Sequence, residues 1–378
     1  MSPTIAWTWV ALALAPWVAA VALAERRRRA TPALPEAPSS PGAAPRGRVV
    51  AVVPARDEAE IIEASVRALL AAPALAEVVV VDDRSTDATP AILARLAAAA
   101  PRLRVLTGAG PGPGESGKSV ALARAVAAVS PPPRAWLFVD ADVVVAPGAV
   151  DALLAAQGDA ALVSVWPHVE LVGPAERLVM PTILAWIAAR YPAAAVVDPA
   201  SPVAFANGQL LLVDAARYDA VGGHAALTRE VLEDCALAAR LKAEGGRLLL
   251  FDARGAVRTR MYASWGELVE GWSKNLARLL GPGIARPLAL AAASVVLGAS
   301  GYGLLALGLA AGAPLAGLTG FAAVLGAQAF IRARAGFSRV GALAAPLGAA
   351  LAAYVLVRSV VLFRVRGRVR WKGREVGV

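Results

Sequence analysis

The sequence predicts an α/β domain with a mostly parallel central sheet, plus N-terminal and C-terminal transmembrane helices. Three observations in this 378-residue chain point there. Short valine- and leucine-rich runs alternate with helical stretches between residues 48 and 285. Apolar segments of membrane-crossing length flank that stretch on both sides. Charge is partitioned in the same way: residues 48–285 hold 22 Lys+Arg against 25 Asp+Glu, and the remainder holds 16 against 3.

Residues 5–24 are twenty apolar or near-apolar positions, enough to cross a hydrocarbon core about 30 Å thick. Trp7, Trp9 and Trp17 suit interfacial anchoring, and Pro16 is tolerable in such a helix. The arginines 26–29 follow the apolar run, whereas a cleaved signal peptide carries its charge before it. That order predicts an anchor (1–24) with its N-terminus outside and the rest of the chain in the cytoplasm, then a basic, proline-rich linker (25–47). Strands at 48–53, 77–81, 103–106 and 136–139 alternate with helices at about 58–71, 89–100 and 118–129. Such alternation implies parallel pairing, and ligands in parallel sheets bind beyond the carboxyl ends of the strands. Asp82, Asp83, Asp140 and Asp142 would gather there. From 265 to 280, Trp265, Leu268, Val269, Trp272 and Leu276 recur at helical spacing, predicting an amphipathic interfacial helix that ends a domain of residues 48–285. Apolar runs at 287–311 and 314–331 read as a hairpin of spans. A third, at 340–357, makes two or three spans in 286–363, three being favoured on length, before a basic tail (364–378).

A hydrophobic fraction of 58% with 17% charged residues, against about 45–50% and about 25% in ordinary soluble domains, excludes a wholly soluble or a disordered chain. The net charge of +10 would suit nucleic acid, but the basic clusters abut apolar runs and the middle is mildly acidic. Membrane proximity is therefore expected, and no nucleic-acid partner. One cysteine and two histidines exclude an intramolecular disulfide and a histidine-built metal cage.

Asp140-Ala141-Asp142 at a strand end puts two carboxylates on one face of extended chain, as Mg²⁺ shared with a substrate phosphate requires. Taken alone, the same residues serve equally as turn or capping groups. Asp82-Asp83-Arg84-Ser85-Thr86-Asp87 and Glu233-Asp234 also have capping alternatives. Asn207-Gly208 and Gly222-Gly223 read either as turns or as binding elements. Residues 112–119 satisfy the P-loop pattern literally, although Pro113 lacks an N–H for a phosphate and the preceding strand ends some five residues too early.

In combination these pieces are far more specific. Val53-Pro54-Ala55-Arg56-Asp57-Glu58, Val81-Asp82-Asp83-Arg84-Ser85-Thr86-Asp87, Val139-Asp140-Ala141-Asp142 and Leu232-Glu233-Asp234, in that order, resemble the family 2 glycosyltransferases of GT-A fold over roughly residues 48–280. With anchors at both ends, and an ending Val369-Arg370-Trp371-Lys372-Gly373-Arg374, the chain resembles their membrane-bound hopene-associated, carotenoid and ceramide glycosyltransferase-like branch. The resemblance implies a nucleotide-diphospho-sugar transferase domain. Asp82 would hold the base, with Pro54, Arg56 and Glu58 lining the donor-nucleotide pocket. Lys118 would approach the diphosphate, Asp140 would face the ribose or the metal, and Asp142 would hold Mg²⁺ or Mn²⁺. Asp234 matches the general base. Asn207, Gly208, Glu233 and His224 would border the sugar and acceptor, with Trp272 and Lys274 beside them. The expected activity is inverting, metal-dependent transfer of a single sugar from a nucleotide-sugar donor, a UDP-sugar, to a membrane lipid of hopanoid, carotenoid, other isoprenoid or sphingoid type. The expected location is the cell membrane, multi-pass, with the catalytic domain facing the cytoplasm. A processive polysaccharide synthase is an alternative, weakened because Glu270-Gly271-Trp272-Ser273-Lys274-Asn275 stands where such enzymes carry Gln-x-x-Arg-Trp. A P-loop NTPase is a second.

Overall fold

The computed structural model describes residues 3–37, 47–363, 368–371 and 374–377. Its centre is a seven-stranded sheet in the order β3-β2-β1-β4-β8-β6-β9. The strands are β1 (Val49–Ala55), β2 (Glu77–Asp82), β3 (Leu103–Thr107), β4 (Ala135–Val139), β6 (Leu162–Trp166), β8 (Leu210–Asp214) and β9 (Leu248–Asp252). All pairings are parallel except those of β8, which runs against both β4 and β6. Strand β1 lies inside the sheet, and Val49 through Val53 are at most 1% exposed. A strand buried on both faces reads as a continuous valine run rather than an alternation. A smaller sheet joins β5 (Val143–Val145), β10 (Val257–Thr259) and β7 (His168–Val169) across the carboxyl edge of the larger one.

Helices α2 (Ile62–Leu70), α3 (Thr89–Ala99) and α4 (Gly117–Ala127) connect the first four strands. The first begins four residues later than its periodicity predicts. The backbone N–H groups of Glu58 and Ala59 are taken by Thr89 Oγ1 (2.9 Å) and Asp87 Oδ2 (3.0 Å), which hold that segment open as a loop over the β2 end. Helices α5 (Ala149–Gln157), α6 (Pro174–Arg190), α7 (Ala193–Val197), α8 (Ala215–Ala220) and α9 (Glu233–Ala243) follow.

Among the described residues, four helical stretches are long and apolar enough to cross a membrane: Thr4–Ala30, Pro174–Val197, Ala285–Ala310 and Pro314–Arg334. The first is α1 (Pro3–Ala30), which runs through the arginines, so the linker starts later than residue 25; residues 38–46 lie outside the described residues. The second, α6–α7, was not anticipated from the sequence. Its Val179, Met180 and Ile183 are buried in the main core. The others are α11 (Ala285–Ala310) and α12 (Pro314–Arg334).

The third C-terminal run forms α13 (Ala345–Val361), 17 residues, about 25 Å at ~1.5 Å per residue, the lower end of spanning length. It packs against α11, α6 and α10 (Trp265–Leu279). The apolar face of α10 is in turn covered by protein: Leu268 and Leu276 are fully buried. The Ser359 hydroxyl of α13 accepts the Ala277 N–H (2.9 Å) and donates to the Ser273 carbonyl (2.8 Å). The amphipathic spacing at 265–280 records helix–helix packing, which has the same period as lipid contact. In the tail, β11 (Arg368–Trp371) and β12 (Arg374–Gly377) pair antiparallel, with β11 beside α10.

Candidate active site

A cavity of about 1650 Å³ opens along the carboxyl edge of the sheet. At one end it meets the ends of β1 and β2. Pro54, Arg56 and Glu58 line it, as expected. Asp82 does not. Its carboxylate accepts the Ser85 N–H (3.1 Å) and its carbonyl accepts the Gly108 N–H (2.7 Å), while the neighbouring Asp83 lines the cavity. Burial raises the Asp83 carboxyl above its usual range, against the pull of Arg84 and Arg56. The floor depends on Gly108, where a Cβ would meet the Asp83 Cα at 2.8 Å.

The centre of the cavity lies beyond β4, where the structure brings five of the expected residues together. Lys118, on the first turn of α4, reaches Asp140 (2.6 Å) and Glu233 (3.1 Å). Burial alone would lower its ammonium pKa, but Asp140, Glu233 and Asp234 reverse the effect and raise it. Burial alone would raise Glu233, which Lys118 instead holds below the ordinary carboxylate range. Asp234 accepts the Gly208 N–H through Oδ2 and the Cys235 N–H through Oδ1, both at 2.7 Å. Burial, then the charge of Glu233, pushes it up to about 6. Gly208 is required sterically, since a Cβ there would stand 2.7 Å from Asp234 Oδ2. Asn207-Gly208 is not a hairpin turn, because β8 pairs with strands far from it in sequence.

Asp142 is held from behind by a chain of side chains. Thr259 Oγ1 donates to Asp142 Oδ2 (3.0 Å), Gln209 Nε2 donates to Thr259 Oγ1 (3.2 Å), and Asn207 Nδ2 donates to Gln209 Oε1 (3.0 Å). Burial, followed by the charges of Asp140 and Glu58, pushes Asp142 up to about 7. A divalent cation would relieve that excess negative charge. No group of three His, Cys, Asp or Glu suited to a metal occurs among the described residues. Asp140 and Asp142 therefore fit a Mg²⁺- or Mn²⁺-type site whose other oxygens come from water and a bound phosphate.

Trp272 and Lys274 of α10 also line the cavity, Lys274 near enough to Glu233 and Asp140 to feel their charge, and Trp272 Nε1 donates to the Met180 thioether Sδ (3.1 Å). His224 does not reach it. The ring is 1% exposed, its Nδ1 lies 2.9 Å from the Tyr218 hydroxyl, and burial lowers its pKa to about 4. It supports the wall behind Glu233. Sequence reasoning missed Trp166, Phe205 and Tyr191, an aromatic stack with centroid separations of 5.3 and 4.6 Å. It also missed Arg260, whose buried Nε has no hydrogen-bond partner among the described residues. None of these sits in a local motif; long-range folding assembles them.

The P-loop reading fails on geometry. The Gly112 N–H is taken by Glu115 (2.8 Å), Lys118 is engaged by carboxylates, and Ser119, which would bind Mg²⁺, is fully buried.

A mostly parallel sheet with a paired-carboxylate strand end and an acidic carboxyl edge defines an α/β transferase domain of GT-A fold. The family described as "Glycosyltransferase like family 2" matches residues 45–270, more than half of the chain, so the protein belongs to that family and is a glycosyltransferase. No curated protein sequence compared with it matches. Among solved structures it is similar to the mannosyltransferase PcManGT of Pyrobaculum calidifontis in complex with GDP-Man and Mn²⁺. There the TM-score is 0.52 at 18% identity, over 96% of this chain and 99% of that one. It also matches glucosyl-3-phosphoglycerate synthase of Mycobacterium tuberculosis in complex with Mn²⁺, UDP and glucosyl-3-phosphoglycerate. That match has a TM-score of 0.38 at 20% identity, over 62% and 81% of the two chains.

Proposed function

We propose that the protein is an inverting, metal-dependent glycosyltransferase that moves one sugar from a UDP-sugar to a membrane lipid. It would be multi-pass, with the domain at 48–285 on the cytoplasmic face, and belong to the hopene-associated, carotenoid and ceramide-like branch. One observation carries the reading. The cavity that holds Asp140, Asp142 and Asp234 continues to Ala20, Leu23 and Ala24 of α1 and to Leu184 and Ala188 of α6. Donor chemistry and an apolar acceptor path thus share one space.

The nucleotide would lie over Pro54, Arg56 and Asp83, with Asp83 taking the base-contacting role expected of Asp82. The diphosphate would reach Lys118, Lys274 and Arg260, whose positive charge favours the leaving group. Asp142 and Asp140 would hold Mg²⁺ or Mn²⁺, which would supply Lewis-acid neutralisation of the diphosphate. Asp234 takes the proton of the acceptor hydroxyl as that oxygen bonds to the anomeric carbon and the bond to the diphosphate oxygen breaks. A single displacement inverts the anomeric centre. An upward-shifted Asp234 suits this role, since a stronger base is still ionised at neutral pH.

The test uses the purified full chain with radiolabelled UDP-sugars and a membrane-lipid extract, with and without Mg²⁺ or Mn²⁺. One sugar per lipid, formed only with metal, is expected. Polymer as product, or full turnover in Asp142→Ala, overturns the reading.

A further inference from the structure

The end of the cavity farthest from the nucleotide combines an apolar wall with arginines in a fixed order along the chain. On α1, the lining residues run Ala20, Leu23, Ala24, Arg27 and Arg28, with Thr31 just past the helix end. From Ala20 to Arg27 is about 10 Å at ~1.5 Å per residue. Just past Thr31 the chain is fastened to the end of β9, where Asp252 N donates to the Pro32 carbonyl and Leu34 N donates to the Asp252 carbonyl, both at 2.8 Å. Arg27 therefore lies between the apolar wall and the carboxyl edge of the sheet. On α12 the sequence is the same: Ile331 and Arg332 line the cavity close to the helix end.

The arginines at this mouth are not equivalent. Arg28 and Arg334 are paired with Glu25, and Arg254 with Asp252. Among the described residues, Arg332 donates to the carbonyls of Ser338 (3.0 Å) and Arg177 (3.2 Å) and to no carboxylate. Neither Arg27 nor Arg332 has a carboxylate partner among the described residues. Both are partly buried, and partly buried guanidinium groups attract an anion strongly. Deeper in, Asp234 calls for a hydroxyl, since only a protonated nucleophile needs a base. Read from outside inward, the cavity offers an apolar wall, two guanidinium groups, then a base.

We infer that the acceptor is a phospholipid whose phosphodiester joins the hydrophobic chain to a hydroxylated head group. Arg27 and Arg332 hold the phosphate, and Asp234 takes the proton from a head-group hydroxyl. This rests on the proposed lipid-directed transfer and specifies its acceptor. The anion is the acceptor's own phosphate and not that of a surrounding lipid. Neutral sterol-like, carotenoid or ceramide acceptors lack the group that these arginines would bind, so the likeness to that branch is one of chain architecture and not of acceptor.

The test separates a membrane-lipid extract into anionic and neutral fractions on an anion exchanger. Each fraction is placed in phosphatidylcholine vesicles with the full-length enzyme, labelled UDP-sugar and metal. Product is expected from the anionic fraction, with phosphorus in its mass. Arg27→Gln and Arg332→Gln should each raise the KM for lipid by about tenfold or more, with Arg27→Lys recovering part of the loss. UDP affinity measured by calorimetry should stay at the wild-type value, reporting a folded donor site. Product from the neutral fraction, or variants with unchanged lipid KM, overturns the inference while leaving lipid glycosylation standing. Phosphatidic acid, which has no head-group hydroxyl, is the control for bulk lipid: if it stimulates neutral-fraction glycosylation in an Arg27-dependent way, the inference is also overturned. Product from neither fraction removes the lipid-acceptor reading and this inference together.

Discussion

The two ends of the cavity are built in different ways. The donor end is made of short loops that follow β1, β2 and β4, and each functional side chain sits within a few residues of a strand end. The far end is made by α1, α6, α10 and α12, which are widely separated along the chain. Strand-end chemistry can be read locally because the sheet supplies the geometry. Helix-built chemistry depends on which faces meet, and a single helical period cannot distinguish protein from lipid as the partner.

The sharpest way to break this comparison is at the junction between the ends. Asp234→Asn should lower transfer about 10²- to 10⁴-fold with UDP binding retained; calorimetry beside a turnover assay separates the two. For the wild type in saturating metal, the rate should fall as pH drops through about 6, because protonated Asp234 cannot accept a proton. A flat profile from pH 5 to 8 would remove the base assignment.

Gly208→Ala comes next. Its new Cβ would displace the Asp234 carboxylate, and a shift of about 1 Å at such a position costs on the order of 10²-fold. A structure of that variant should show Asp234 moved and Asp142 in place. Thr259→Val removes the hydroxyl behind Asp142 and should weaken Mn²⁺ binding by about 10- to 100-fold, as read by electron paramagnetic resonance. Thr259→Ser should restore most of it.

The smallest effect on turnover is expected at His224. His224→Ala should leave kcat/KM within about threefold, while thermal stability falls by about 1–3 kcal/mol from the lost Tyr218 contact and packing. Its depressed pKa has a sign that can be checked. The folded state prefers the neutral ring, so its stabilising effect is present above the ordinary 6.5 and is lost as pH falls through about 4. Acid unfolding in His224→Ala should be correspondingly less steep over that window.

Legibility follows the same division. The alternation of strands and helices was readable from spacing within each segment, whereas the roles of Lys118, Asp140, Asp142 and Asp234 came from the resemblance to the family, since each pattern alone fits a turn or a cap equally well. The choice between Asp82 and Asp83 was not readable, since it turns on how the loop through Gly108 crosses the β2 end. Helix α6 escaped because Pro181 interrupts its pattern. For α13, burial against α10 and α11 selects the same apolar residues as lipid does, so its composition alone does not separate the two.

The splice between α1 and β9, where residues 32–34 add themselves to the edge of the sheet, has a kinetic consequence. With α1 in a bilayer, the catalytic domain cannot tumble on a slack tether, and its mouth is held at one depth and one angle. For the proposed lipid acceptor, encounter would become a two-dimensional search. Turnover should then track the mole fraction of acceptor within the bilayer, and diluting the vesicles at constant composition should leave it unchanged. Inserting a flexible segment after Ala30 would loosen that geometry and lower the rate, while α11 and α12 would still hold the domain at the bilayer.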